Sequence, residues 1–388
     1  MTFKILTLNN ISATGLERLP QDRYEVGDSM ESPDAILLRS FKMHDMEIPQ
    51  SLKAVARAGA GTNNIPVDKL TRLGIPVFNS PGANANAVKE LVISGLLLAC
   101  RNLPQAWDYT RQLEGDDAAL AKLVEEGKKK FAGFELPGRT IGVVGLGAIG
   151  RMVANTCVAL GMKAIGFDPG LTVEGAWQLS AEVRRAESVE EMLPQVDFIT
   201  FHVPLIDATR HMLNASNIGS LKQGATVLNM ARGGVVDDEA ICAALDRGEL
   251  HAYVSDFPTN RTKACSRVIA LPHLGASTAE AEDNCAVMVA DQLRDFLENG
   301  NITNSVNFPA VNMRRGSEHR LVIANLNVPN MVGQISTAMA AGKLNIHDMI
   351  NQSRGEIAYT VVDTDSAVPE SVVENVRGIQ GVMMARVL

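Results

Sequence analysis

TIGVVGLGAIGRMVANTCVALGMKAIGFDP, residues 140–169, is the stretch that decides the fold. A β-branched apolar run at 141–144 feeds Gly145-x-Gly147-x-x-Gly150. A helical pattern follows, then a second apolar run that ends at Asp168. Strand, glycine turn, helix, strand and acid, in that order, are the parts a dinucleotide needs. The first glycine permits a tight turn, the second lets the backbone approach a pyrophosphate, and the third lets helix and strand pack closely. The helix start adds unpaired N–H groups and the positive end of a dipole. Asp168 stands at about the spacing, roughly 20 residues, where a carboxylate meets a ribose diol. Its charge repels a 2′-phosphate, so NAD is expected rather than NADP. Glycine-rich helix starts also serve packing alone, but here the flanking strands and the acid agree.

The rest of the chain is long enough to need more than this one unit: 388 residues imply two or three domains. A hydrophobic fraction of 46% and a charged fraction of 21% are those of a globular protein. A net charge of −8 argues against a nucleic-acid partner, although local arginines still suit an anionic substrate. The five cysteines (100, 157, 242, 265, 285) are odd in number and form no C-x-x-C pair, so neither a disulfide framework nor a zinc site is expected. The first residues, MTFKILTLNN, read as a short strand without a signal-peptide core. The longest apolar run, 91–100, is too short to cross a bilayer. A soluble cytoplasmic protein without a membrane partner is expected.

Strand and helix patterns alternate from the start to about residue 305, as parallel doubly wound sheets require. Strands are expected at 4–8, 35–38, 54–56 and 77–79, then at 198–201, 226–229, 253–255 and 268–270. Residues 89–101 read as an apolar helix buried between domains or subunits. Another helix, 278–298, ends at Asn299-Gly300-Asn301. The irregular stretch 303–317 reads as a linker. Beyond it, strand 320–325, helix 332–341, strands 345–352 and 356–362, helix 369–377 and strand 382–387 make a β-α-β-β-α-β ferredoxin-like unit.

Three sites besides the glycine loop bear chemistry. In LNMARGGVVD (228–237) a strand end delivers Arg232 among small residues, where ligands bind in open α/β sheets. Its planar fork suits a carboxylate, or it pairs structurally with Asp237 or Asp238. In LPHLGAST (271–278) His273 also follows a strand, and an imidazole can move the proton that accompanies hydride transfer. In SDFP (255–258) Asp256 stands at a strand end, as an acceptor for a nicotinamide carboxamide or as a turn residue.

Together these residues resemble the D-isomer-specific 2-hydroxyacid dehydrogenases over essentially the whole chain. The most specific pieces are RAGAGTNNI (57–65), FNSPGANANAVKELV (78–92), GVVGLGAIG (142–150), NMARGGVVDDEA (229–240) and PHLGASTAEAEDNCAVM (272–288). The resemblance implies an α/β chain with two doubly wound Rossmann-like domains and a third, smaller domain. A flavodoxin-like substrate-binding domain (1–90 and 285–305) surrounds an inserted NAD-binding domain (91–284), with the active site in the cleft between them. A linker (306–318) and a C-terminal ferredoxin-like ACT domain (319–388) follow. A homodimer or homotetramer is implied as well.

The implied activity is oxidation of a phosphorylated 2-hydroxy acid, 3-phosphoglycerate, at the entry to serine synthesis. The same residues leave open a reductase of hydroxypyruvate or glyoxylate, or an NAD-sensing scaffold. Arg232 would hold the substrate carboxylate and polarise the C2 oxygen, while His273 would take the C2 hydroxyl proton. Gly145, Gly147, Ala148, Ile149 and Gly150 would face the pyrophosphate and Asp168 the adenosine ribose. His202, Met230, Ala231, Asp256, Gly275 and Ala276 would complete the cofactor site beside Arg232 and His273. Backbone N–H groups around Arg57, Ala58 and Gly59 would meet the carboxylate. Arg39, Ser40 and Arg57 would contact the phosphate, with Lys128 reaching in from a partner subunit.

Two departures from the family stand out. The glutamate that orients the histidine and supports its proton is Asn260 here, beside Arg261. An amide orients a ring but cannot stabilise an imidazolium by charge, so His273 is expected to titrate lower than the family norm, lower still if Arg261 points inward. In the C-terminal unit Asn327 and Asn345 match residues that bind a serine effector. Asn325 replaces the histidine of that motif and Asn330 its glycine, which leaves assembly as the other role for the unit.

Overall fold

The computed structural model of the protein describes residues 2–388 and divides into two compact units. One runs to Ala83 and resumes at Ala279–Leu388; the other is Asn84–Thr278.

The second unit is built on seven parallel strands: β6 (Thr140–Val144), β7 (Lys163–Phe167), β8 (Val183–Arg185), β9 (Phe198–Phe201), β10 (Ala225–Asn229), β11 (Leu250–Ser255) and β12 (Val268–Ala270). Their order in the sheet is β12-β11-β10-β9-β6-β7-β8. Crossovers leave β6 in both directions, so the order reverses between β6 and β9, the place where open α/β sheets bind ligands. Every residue of β9 and β10 is buried, as strands covered by helices on both faces must be. The Ala85–Cys100 helix packs on β10 and β11. Gly95 permits the close approach: a Cβ there would meet Val254, Leu228 and Met230 at 3.2–3.3 Å. This helix starts four residues earlier than the sequence pattern suggests, at Ala85, and Asn84 precedes it without a side-chain cap.

The first unit holds two sheets. β1 (Phe3–Leu8), β2 (Tyr24–Gly27), β3 (Ala35–Leu38), β4 (Ala54–Arg57) and β5 (Val77–Phe78) form a parallel sheet in the flavodoxin-like order β2-β1-β3-β4-β5. β13 (His319–Leu326), β14 (Ile346–Arg354), β15 (Ile357–Thr364) and β16 (Val382–Val387) form an antiparallel sheet in the order β14-β15-β13-β16. Helices Met331–Ala341 and Glu370–Arg377 complete its β-α-β-β-α-β succession.

This sheet is not a separate body. Val322, Ala324, Tyr359 and Val361 share one core with Ile5, Leu37, Phe78 and the Ala279–Asn299 helix. The stretch that reads as a linker belongs to that core too. Phe308 and Val311 are buried, and Asn307 accepts from Val77 N–H while donating to Thr71 and Ile75. Its polar residues serve backbone groups, which is why composition alone resembles a tether. A fully buried ion pair, Arg320 Nε to Asp363 Oδ1 at 2.6 Å, joins β13 to β15. Arg320 also donates to the carbonyls of Asn299 and Met313, so the sheet is fastened to the end of the long helix.

Candidate active site

β6 ends in a turn that only glycine can make. Gly145 has φ +89°, and a Cβ on it would lie 2.6 Å from the His202 carbonyl oxygen. A Cβ on Gly150 would strike the Gly145 carbonyl oxygen at 1.8 Å, so helix and turn touch. Gly147 differs. It precedes the Ala148–Ala159 helix, and a Cβ there meets nothing within 4 Å. The exposed Gly147 and Ala148 thus leave open space at a helix N-terminus, the cradle a pyrophosphate requires. Ile149 and the buried Gly150 continue that first turn.

Asp168, just past β7, accepts from Leu146 N–H at 2.7 Å through Oδ2 and from Gly170 N–H at 2.8 Å through Oδ1. It therefore fixes the glycine loop itself, and each oxygen keeps a lone pair for a diol. His202 follows β9; its Nε2 lies 3.1 Å from Thr200 Oγ1, while Nδ1 is buried without a partner. Burial pushes this imidazole down to about 4, so it is a neutral ring at neutral pH.

Strand register assembles the remaining residues. Val144 pairs with Phe201, Phe201 with Asn229, Asn229 with Ser255, and Ser255 with Ala270. The segments that leave these ends therefore line one edge of the sheet: the glycine loop, His202, Met230–Ala231–Arg232, Asp256 and Leu271–Pro272–His273. Asn229 organises the arginine loop. Its Nδ2 donates to Arg232 O at 3.0 Å and its Oδ1 accepts from Ala231 N–H at 3.1 Å. Met230 and Ala231 are buried and Arg232 is exposed. The Arg232 guanidinium folds back onto the Ala231 carbonyl at 2.6 Å. Asp237 instead caps the Asp238–Asp246 helix, and Asp238 accepts from Thr259, so neither holds the arginine.

His273 is exposed, with its ring centroid 4.7 Å from that of Phe257. Gly275 and Ala276 form the turn beyond it. Asp256 is 1% exposed, and neither of its oxygens closes a hydrogen bond. Burial raises its pKa, against the attraction of His273 and Arg232 and the N–H groups of Asp256 and Gly275 that face it. Asn260 is exposed and opens the Asn260–Ala264 helix behind the Thr259 cap, and no hydrogen bond joins it to His273. Arg261 is held by Glu239 at 3.1 Å and Asp246 at 3.3 Å, so it does not turn inward.

The expected substrate contacts of the first unit are partly occupied. Arg39 pairs with Glu282 at 2.7 Å, and Arg57 Nε donates to the Arg39 carbonyl at 2.9 Å. Ala58 N–H donates to Leu38 O and Gly59 N–H to Arg57 O, which removes two donors expected for a carboxylate. Ser40 N–H donates to Asn9 Oδ1. In the second unit Lys128 is exposed and paired with Glu125. Of the expected effector residues, Asn325 is buried with its amide on Leu326 O, and Asn327 donates to Gly355 O. Asn345 contributes its backbone to Asp365. Asn330 stands at φ +65°, a left-handed position that glycine favours and asparagine tolerates.

Asn229 and Tyr253 were not among the expected site residues; Asn229 Nδ2 and the Tyr253 phenol oxygen lie 3.5 Å apart. An amide ending a mostly apolar strand, ATVLN, was the available signal. Among the described residues no cluster of His, Cys, Asp and Glu could hold a metal, and no helix is long and apolar enough to cross a membrane. All five cysteines are free and buried.

Residues 93–275 match the family model for the D-isomer specific 2-hydroxyacid dehydrogenase NAD binding domain. The chain is 32% identical to D-3-phosphoglycerate dehydrogenase of Haemophilus influenzae, over 88% of this chain and 83% of that one. It is 33% identical to D-3-phosphoglycerate dehydrogenase of Methanocaldococcus jannaschii, over 90% of this chain but only 64% of that longer relative. Among solved structures, NAD+-bound 3-phosphoglycerate dehydrogenase of Entamoeba histolytica superposes with a TM-score of 0.61 at 25% identity, covering 79% of this chain and 99% of the other.

Proposed function

Because the chain belongs to the D-isomer-specific 2-hydroxyacid dehydrogenases and carries their NAD-binding domain, we propose that it oxidises 3-phosphoglycerate to 3-phosphohydroxypyruvate, the first step of serine synthesis. The observation that carries this reading is the shared edge of β10, β11 and β12, from which Arg232, Asp256 and His273 emerge side by side. Arg232 holds the substrate carboxylate and draws electron density from the C2 oxygen. His273 takes the C2 hydroxyl proton as the C2–H bond breaks. Bound NAD supplies the acceptor for the departing hydride. Gly145 to Gly150 seat the pyrophosphate and Asp168 the adenosine ribose.

We extend the reading to the C-terminal sheet as an ACT unit in a homodimer or homotetramer, and to the cytosol as the compartment, which suits five unoxidised cysteines. Arg57 and Ser40 remain the phosphate contacts in this account. A second reading, reduction of an unphosphorylated 2-oxo acid such as hydroxypyruvate or glyoxylate, draws support from one observation. Arg39 and Lys128, both cations expected at the phosphate, are already paired with carboxylates.

Steady-state rates with 3-phosphoglycerate, glycerate, hydroxypyruvate and glyoxylate separate the two. The expected outcome is kcat/KM for 3-phosphoglycerate above that for glycerate by a factor on the order of 100, the worth of one charge-assisted phosphate clamp. Equal values for the two acids would favour the second reading. NAD binding without turnover of any of the four would favour a sensor.

A further inference from the structure

The histidine-orienting carboxylate that the family keeps four residues further on is missing at position 260. Yet one stands at the neighbouring strand end. β11 lies between β10 and β12, and its last residue Ser255 is in register with Asn229 on one side and Ala270 on the other. Asp256 therefore emerges between the loop carrying Arg232 and the loop carrying His273. At about 4.8 Å per strand, those loops leave the sheet about 10 Å apart, with Asp256 midway.

The surroundings of the carboxylate are those of a built position. Phe257, the next residue, has its ring 4.7 Å from the His273 ring. The point where a Cβ on Gly275 would sit is 3.7 Å from Asp256 Oδ2 and 3.3 Å from Val88 Cγ2, so the histidine loop passes close over the acid. The charged or titratable groups facing it are His273 from the loop after β12 and Arg232 from the loop after β10. The Ala85–Cys100 helix presents Val88, and on its own strand Ser255 Oγ is engaged by Phe257 N–H. A buried carboxylate without a closed hydrogen bond destabilises a fold unless a charge answers it. Here both groups that can answer it are the ones assigned to chemistry.

We propose that Asp256 is the positioning carboxylate of His273, standing in for the glutamate absent at 260, and that it steadies Arg232 from the other side. The proposal rests on the reading of His273 as proton acceptor given above. In the reaction the C2 hydroxyl proton moves to the imidazole, and Asp256 stays ionised and stabilises the imidazolium without taking the proton.

The test reads the ring directly, in the full chain, without substrate. With histidine labelled in its ring nitrogens and the His273 signal identified by its loss in His273→Gln, the imidazole is titrated in the unaltered chain and in three variants. In Asp256→Asn the midpoint is expected to fall by about one pH unit. NAD affinity should stay within about threefold, and kcat should drop about 10- to 100-fold. Adding Asn260→Glu to Asp256→Asn is expected to recover part of the midpoint. Asn260→Glu alone, at an exposed helix position that leaves the fold intact, is expected to move the midpoint by less than about half a unit, because a carboxylate already serves the ring.

An unchanged midpoint in folded Asp256→Asn, with NAD affinity lost, would overturn the proposal and return Asp256 to the nicotinamide alone. Should Asp256→Asn not fold, a rise of about one unit in Asn260→Glu would overturn it equally. If the ring follows Asp256 but no hydroxy acid is turned over, the proposed function fails while this inference stands.

Discussion

A buried carboxylate is held in this fold at a cost, and Asp256 makes the cost measurable. Its pKa lies above the ordinary 3.8, first because burial disfavours the charge. The contribution of such a group to stability is fullest below the unfolded value and declines as pH rises through the folded one. Asp256→Asn is therefore expected to raise the melting temperature near pH 8 by about 2–4 °C, for roughly 1 kcal/mol, with the gain vanishing toward pH 4. Scanning calorimetry at both pH values checks this; a lower melting temperature at both would contradict it. The glycines offer a complementary test. Gly147→Ala has room in the fold and should leave stability within about 0.5 kcal/mol while weakening NAD binding about tenfold or more. Gly150→Ala cannot be accommodated at all, since its Cβ would lie 1.8 Å from a carbonyl oxygen. Calorimetric NAD titration of both variants separates the ligand cradle from the packing contact. At this scale Arg232 and His273 stand out as candidates in the sequence because each closely follows an apolar strand run. The surroundings of Asp256 do not, since its partners lie on two other strands and only register reveals them.

Among elements, apolar patterns read well and polar ones did not. The strands 35–38, 198–201, 268–270 and 382–387 agree with the sequence pattern residue for residue. β2 (YEVG) and β8 (VRR) escaped it because sheet-edge strands carry polar residues that look like turns. The Leu103–Arg111 and Asp117–Gly127 helices were not expected either, and among their residues only Gly127 is buried. The tie between β13 and β15 was invisible too, since Arg320 and Asp363 are 43 positions apart. Burial pushes the Asp363 carboxyl up, but Arg320 and the Gly316 N–H outweigh it and hold its pKa below 3.8. Its stabilisation is thus present above that value and is lost as pH falls through the depressed folded one. Asp363→Ala, which strands the guanidinium in the core, should cost about 3–5 kcal/mol in urea unfolding at pH 7. A loss below about 1 kcal/mol would mean the pair is not buried as described.

For the molecule as a whole, the sequence pattern made the C-terminal unit a tethered module, whereas its sheet completes the core of the first unit. Val322, Ala324, Tyr359 and Val361 pack there, and the Tyr359 hydroxyl donates to Gly300 O at 2.9 Å. Apolar periodicity identifies a buried face but not what buries it, so integration could not be read from the chain alone. Removing residues 319–388 is expected to leave the first unit without a cooperative unfolding transition, while residues 84–278 by themselves still bind NAD. A cooperative 1–318 protein would contradict the shared core; hydrogen exchange on that fragment reads the outcome. The most direct measurement is a crystal structure of the chain with NAD bound. The nicotinamide ring is expected over the ends of β10 to β12, in contact with both the Arg232 guanidinium and the His273 imidazole. A dinucleotide seated on the glycine loop but with its nicotinamide directed away from those two side chains would contradict the account.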